Sequence, residues 1–297
     1  MRVLTVFATV FLATGIAACG GAQDTAAQAP EAAPDPAALL DAAIAGSHRS
    51  DEEKARDQFR HPKETLLFFG VEPDMTVVEI WPGGGWYTNV IAPYLAAGGG
   101  NYYAAYLNPE GASQRVAAAY KAYKESYADR PEIYGTVTMT ILGESHEVAP
   151  AGSADAVLTF RNVHNWMARG VAEDYFAEFY RALKPGGVLG VVEHRADPGE
   201  EQDPNARSGY VREDVVIELA KKAGFELQAR AEINANPQDT KDHPFGVWTL
   251  PPVRRSSEMR GVEDPEFDRA KYDAIGESDR MTLKFRKPLA ADGALLE

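Results

Sequence analysis

Cysteine is almost absent from this 297-residue chain: Cys19 is the only one. A single thiol excludes an intramolecular disulfide and a thiolate metal cluster, and at its terminal position it offers no nucleophile to a folded site. Positive charge is also short, with 30 Lys and Arg against 44 Asp and Glu, a net charge of −14 and a pI near 4.9. Phosphate backbones need a concentrated Lys/Arg surface, so nucleic acid is not an expected partner. The acidity reads as a solvated surface. Long apolar runs are missing apart from Val3 to Ala18, too short for a membrane span of roughly 20 residues but suited to the apolar region of a signal peptide. There is no internal repeat and no His-Glu-x-x-His, so no metal site is expected; Glu193, His194 and His164 are the residues that would otherwise supply O and N ligands.

What is present is an ordinary globular composition, 45% hydrophobic and 25% charged, in a length suited to one large domain or two small ones. The run Ile16-Ala17-Ala18-Cys19-Gly20 resembles the bacterial lipoprotein cleavage box. That resemblance implies a signal peptide over 1–18, lipid on Cys19, and an address on the periplasmic side of a bacterial membrane, the outer preferred to the inner. Residues 19–36 are Ala, Gln, Pro and Gly with scattered acids, too poor in large apolar side chains to fold, and read as a disordered tether. The folded domain is expected over 37–290, with 291–297 as a tail.

Helices are expected at Pro36 to Ala45, Ser50 to Phe59, where Ser50-Asp51-Glu52-Glu53 is a capping-box pattern, and Pro62 to Phe69. From Thr76 short apolar runs alternate with helical segments, the pattern of a mostly parallel sheet covered on both faces. Strands are expected at Thr76 to Trp81, Asn101 to Leu107, Val137 to Leu142, Ala156 to Phe160, Val188 to Glu193, Phe225 to Ile233 and Met281 to Lys287. The intervening helices are Trp86 to Ala97, Ala112 to Ala128, Val171 to Leu183 and Arg212 to Ala223. The fold class is α/β, a doubly wound seven-stranded Rossmann-like sheet with N-terminal helices and an insertion before the last strand.

The first strand runs through Glu79 into Trp81-Pro82-Gly83-Gly84-Gly85. Glycines let a backbone turn sharply and approach a ligand where a Cβ would collide, and the helix that follows would face that ligand with its N-terminus. In parallel sheets ligands lie beyond the carboxyl ends of the strands. The residues to inspect there are Glu79 and the glycines, then Asn108 and Glu110, then Gly143-Glu144-Ser145, then Arg161-Asn162-Val163-His164-Asn165-Trp166, then Glu193-His194-Arg195.

At these positions the chain resembles the class I S-adenosylmethionine-dependent methyltransferases. Val77 to Gly85 is similar to their first motif, Gly143-Glu144 to the acid after their third strand, Ser153-Ala154-Asp155-Ala156-Val157 to the approach to the fourth, and Leu183-Lys184-Pro185-Gly186-Gly187 to the turn into the fifth. The resemblance implies S-adenosylmethionine as cofactor. Gly83, Gly84 and Gly85 would pass under its amino-acid portion and ribose. Glu79 would order the loop or reach the methionine amine, Glu144 and Ser145 would meet the adenine, and Asn162 would join the cofactor set. The chain departs from the family at Trp81, where the first glycine usually stands, and at Asn108, where an acid usually grips the ribose, leaving Glu110 as a substitute.

Methyl transfer needs alignment and, where the nucleophile carries a proton, a base. The base candidates are His164 and His194, with Glu193 placed to orient one of them or hold a substrate amine; as structural readings, either His is a hydrogen-bond bridge. The expected activity is methyl transfer to a small molecule. The alternative is a lipid-anchored extracytoplasmic binding protein that keeps the fold without catalysis. A dinucleotide oxidoreductase is disfavoured, because Thr88 stands where its fingerprint wants Gly or Ala.

Overall fold

The five residues Thr76–Ile80 form a strand because they are β-branched or half-apolar and have no polar face to keep wet: Val77, Val78 and Ile80 are wholly buried. This is β1 in a computed structural model that describes residues 35–143 and 147–289. Cys19, Glu144 and Ser145, and the segments 1–18 and 291–297, lie outside the described residues. The other strands are β2 (Asn101–Leu107), β3 (Val137–Leu142), β4 (Ala154–Phe160), β5 (Leu183–His194), β6 (Glu226–Ala231) and β7 (Arg280–Arg286). They form one sheet in the order β3-β2-β1-β4-β5-β7-β6. β1 to β5 are parallel, and β7 runs antiparallel between β5 and β6.

This is the seven-stranded, mostly parallel, Rossmann-like sheet expected. The differences are local. β5 starts pairing at Leu183 instead of Val188, since Leu183 meets Ala154 while the next register pair is Val188 with Ala156, and the Lys184 to Gly187 turn bulges out between them. The expected helix over Ala112 to Ala128 is an α-helix, Gln114–Tyr123, followed by a wider π turn, Lys124–Ala128, closed by Asp129 N–H donating to Lys124 C=O at 3.0 Å. The segment expected as one helix from Ser50 to Phe59 is two single turns, Asp51–Lys54 and Asp57–Arg60. The predicted capping box is present: Glu53 N–H donates to Ser50 Oγ, and Ser50 N–H to Glu53 Oε2.

The helix Thr88–Gly98 carries Pro93 in its interior. Proline has no N–H for the carbonyl four residues back, which here is that of Asn89. His48 Nε2 occupies that carbonyl at 2.7 Å, so the segment after the first helix repairs the defect and is tied to the one behind the glycine loop. Among the described residues no helix is long and apolar enough to cross a membrane.

Two consequences of the strand order place the site. β1, β4 and β5 are neighbours, so the segments leaving their carboxyl ends emerge side by side. β7 runs the other way, with Arg280 opposite His194, so the residues entering β7 reach the same edge as those leaving β5.

Candidate functional site

Strands β1 and β4 are each followed by a non-glycine residue with left-handed backbone, Trp81 at φ 45° and Arg161 at φ 61°. Each still pairs to its neighbour: Trp81 N–H donates to Ala105 C=O and Arg161 N–H to Val192 C=O, both at 2.7 Å. Left-handed backbone costs such residues roughly 1–2 kcal/mol, and strain of this kind gathers at ligand sites. Trp81 therefore takes up the conformation that glycine would supply freely. Its indole is half-buried, with the Arg169 guanidinium 5.2 Å from the ring centre. Asn162 holds the two turns together, donating from Nδ2 to Ile80 C=O at 2.9 Å and Thr159 Oγ1 at 3.2 Å.

The three glycines divide. A Cβ on Gly83 or Gly84 would meet nothing within 4 Å, whereas one on Gly85 would lie 2.3 Å from the Tyr127 ring. Gly83 and Gly84 thus present bare backbone to open space, and Gly85 is small so that Tyr127 can pack. From that packed side Tyr106 Oη donates to Gly83 C=O at 3.0 Å and Tyr127 Oη to Gly84 C=O at 2.9 Å. The π turn carries Tyr127 to this position.

Gly83 and Gly84 belong to a cavity of about 420 Å³ whose lining includes Trp81, Arg60, Arg161, His164, His194 and Trp248, within the usual size range for small-molecule pockets. His164 is the best-organised side chain in it. Its Nδ1 lies 3.0 Å from Glu193 Oε1, and Asn165 Nδ2 lies 3.0 Å from its Nε2. Glu193 is fully buried and also accepts from Val163 N–H at 2.5 Å and His194 N–H at 2.8 Å. A carboxylate held by two backbone donors fixes the proton on His164 Nδ1 and leaves Nε2 as the acceptor. His194 is different: burial, then His164 and the guanidiniums of Arg161, Arg280 and Arg60, hold its pKa well below the ordinary 6.5, so it stays neutral at neutral pH. Its Nδ1 is 2.5 Å from Ser278 Oγ. His164, Glu193 and His194 hold possible ligand atoms within 4.8 Å of one another, but the Glu193 oxygens are already committed, which suits orientation of His164 better than ligation.

The other side of the cavity has a single carboxylate, Glu277, among four arginines. Arg56 Nε is 2.8 Å away, Arg60 Nε 3.0 Å, Arg280 Nη2 2.9 Å and Arg161 Nη1 3.6 Å. Burial raises the Glu277 pKa, but Arg280, Arg60, Arg161 and Arg56 outweigh it and bring it down to about 2. Arg60 is also fixed by the Trp86 ring, 4.6 Å from its guanidinium, and by Tyr87 Oη on its carbonyl at 3.1 Å.

Several residues expected at the site stand elsewhere. Glu79 does not line the cavity; it is buried behind the loop, accepting from Tyr102 Oη at 2.5 Å and Thr88 Oγ1 at 3.1 Å. Burial raises its pKa to about 7 against the opposing hydrogen bonds of Tyr102 and Thr88. Of its two expected roles, Glu79 is placed away from the cavity and so from a cofactor amine, and its tie to the glycine loop runs through the hydroxyl of Thr88. Asn108 Oδ1 accepts from Glu110 N–H at 2.9 Å, shaping the turn after β2, and Glu110 is exposed; neither lines the cavity with the glycines.

No protein-family model matches the chain, and no curated protein matches it. Solved structures do. A putative sarcosine dimethylglycine methyltransferase from Galdieria sulphuraria is 17% identical, with 81% of this chain and 87% of that one covered at a TM-score of 0.53. The geranyl diphosphate C-methyltransferase of Streptomyces coelicolor A3(2), solved with Mg2+, geranyl diphosphate and S-adenosyl-L-homocysteine, is 14% identical, with 83% and 87% covered at a TM-score of 0.52. The fold is that of the S-adenosylmethionine-dependent methyltransferases. In this methyltransferase fold the bare faces of Gly83 and Gly84 fit a cofactor passing close to the backbone, since any side chain there would fill that space.

Arg56, Arg60, Glu277 and Trp248 were missed by the sequence reading. Arg56 and Arg60 carry a weak signal, two arginines spaced to share a helical face. Glu277 has none under a rule that inspects only the residues after each strand, because it enters the antiparallel β7 from the site edge.

Proposed function

We propose that this protein transfers a methyl group from S-adenosylmethionine to a small nucleophile in the cavity, with His164 as general base. The observation that carries the reading is the meeting, in one cavity, of two side-chain-free glycines with a histidine whose Nδ1 is held by a buried carboxylate. When bound, the cofactor supplies an electrophilic methyl group on a sulfonium. Gly83 and Gly84 would hold its amino-acid portion, and Trp81 and Asn162 keep the β1 and β4 turns in place around it. His164 Nε2, once Asn165 Nδ2 gives way to the acceptor, would receive the acceptor's proton, and Glu193 would stabilise the resulting imidazolium through Nδ1. The neutral His194 beside it adds no competing charge.

Titration of the full chain in mild detergent with S-adenosylmethionine and S-adenosylhomocysteine tests this directly; no heat of binding at millimolar ligand would sink it. Trp81, whose indole lies in the cavity where the family usually has glycine, favours the second reading, a binding protein without catalysis. Cofactor binding would turn the balance against that alternative.

We further propose, from Ala17-Ala18-Cys19 alone, that the chain is tethered through lipid on Cys19 to the periplasmic side of a bacterial membrane. Cys19→Ala should move the protein from the membrane fraction to the soluble one. Retention in the membrane fraction would show the assignment to be wrong.

A further inference from the structure

Around Glu277, positive charge exceeds negative in a chain that is otherwise acidic. Arg56, Arg60 and Arg161 line the same cavity as Glu277, and Arg280 stands behind it, so one carboxylate answers four guanidiniums. Among the described residues the only other acid on that lining, Glu53, is held by neutral donors: its carboxylate accepts from Ser50 N–H at 2.9 Å and Asn89 Nδ2 at 2.6 Å. Arg60 is 1% exposed, and its Nη1 has no hydrogen-bond partner. A buried guanidinium nitrogen without an acceptor is costly and calls for an explanation, which a bound anion would supply. Arg161 is further from Glu277 than the others, at 3.6 Å, so Glu277 answers it least.

We infer that the cavity seats an oxyanion, a carboxylate or phosphate group carried by the methyl acceptor, against Arg56, Arg60 and Arg161. Guanidiniums bind both groups through charge-assisted, often bidentate hydrogen bonds, which Lys cannot reproduce. The seat borders the base. Glu277 is followed by Ser278, whose Oγ is 2.5 Å from His194 Nδ1, and the His194 and His164 rings are 5.4 Å apart. A short acidic molecule would therefore have its anionic end among the arginines and its nucleophilic atom near His164. The assignment of this anion to an acceptor rests on the methyl-transfer reading; the anion seat does not.

The chemistry has two sources to separate, an acceptor's anionic group and the carboxylate of the cofactor's own methionine portion. Inorganic phosphate is titrated into the full chain, first without cofactor and then with saturating S-adenosylhomocysteine. We expect phosphate to bind equally in both. Arg56→Gln and Arg161→Gln, which leave the Arg60 and Arg280 pairs on Glu277 in place, should each weaken it about tenfold, the loss of one charge-assisted contact. Absence of phosphate binding at 100 mM, about the weakest affinity worth calling a seat, overturns the inference, as does binding that both variants leave unchanged. Competition between phosphate and S-adenosylhomocysteine overturns the assignment to the acceptor and gives the arginines to the cofactor. If phosphate binds as expected but S-adenosylhomocysteine does not, the seat stands and the methyl-transfer reading falls.

Discussion

Replacing Gly84 by Val separates the ligand-facing role of the glycine loop from its structural role. Gly84 is exposed, its φ lies outside the left-handed region, and an added Cβ meets nothing within 4 Å. The fold should therefore accept the side chain. Removing glycine's freedom from the unfolded chain offsets small losses, so the change in stability should stay within about 1 kcal/mol. Binding should respond differently, because Val would fill the space into which a bound cofactor must pass. Loss of that close approach should weaken S-adenosylhomocysteine at least 100-fold, about 2.7 kcal/mol. Gly85→Ala is the opposite control. Its φ is 84° and the new Cβ would be 2.3 Å from the Tyr127 ring, so overpacking and backbone strain together should cost about 1–3 kcal/mol of stability. Thermal unfolding and isothermal titration on the three proteins decide it. A Gly84→Val protein with unchanged Tm and unchanged affinity would refute the placement of the ligand on this loop, and a large fall in its Tm would refute the openness of that face.

His164→Ala should lower methyl-transfer turnover about 10²- to 10⁴-fold while leaving cofactor affinity intact; equal losses in both would make His164 a packing residue. Glu79 supplies a pH dependence whose sign is fixed. Its folded pKa, about 7, lies above the ordinary 4.5 of an unfolded chain. The stability it contributes is thus complete below about pH 4.5 and is lost as pH rises through about 7, by about 3 kcal/mol. Denaturant unfolding across that window should show Glu79→Gln gaining on the parent chain as pH rises, and parallel curves would contradict the assignment. His48→Ala should destabilise the fold by about 1–3 kcal/mol, since it leaves the Asn89 carbonyl beneath Pro93 without a donor; no change in chemical denaturation would mean that water replaces the ring.

Most of the sheet could be read from the sequence, because parallel strands buried on both faces must be continuously apolar and short. Tyr102 to Leu107 and Ala156 to Phe160 in the sheet interior show this directly. The bare glycines and His164 were legible for a related reason: a strand running into glycines, and polar residues just past a strand end, mark the carboxyl edge of such a sheet. The sequence also determined what has no place here, an intramolecular disulfide or a centre held by several thiolates, since one cysteine cannot form either.

Tertiary structure decided how those residues are used. Gly83, Gly84 and Gly85 look alike in sequence, yet two face open space and one faces Tyr127, a distinction set by a π turn some forty residues later. Glu79 reads as a ligand-facing acid until the sheet places it against Tyr102 and Thr88. The arginine seat joins residues 56, 60, 161, 277 and 280, which become neighbours only because β7 enters antiparallel beside β5 and the N-terminal turns fold over the same edge. Local sequence specifies strands and turns through short-range sterics and burial. Arg56 and Arg60 meet Glu277 across more than two hundred residues of chain, a contact that no local pattern encodes.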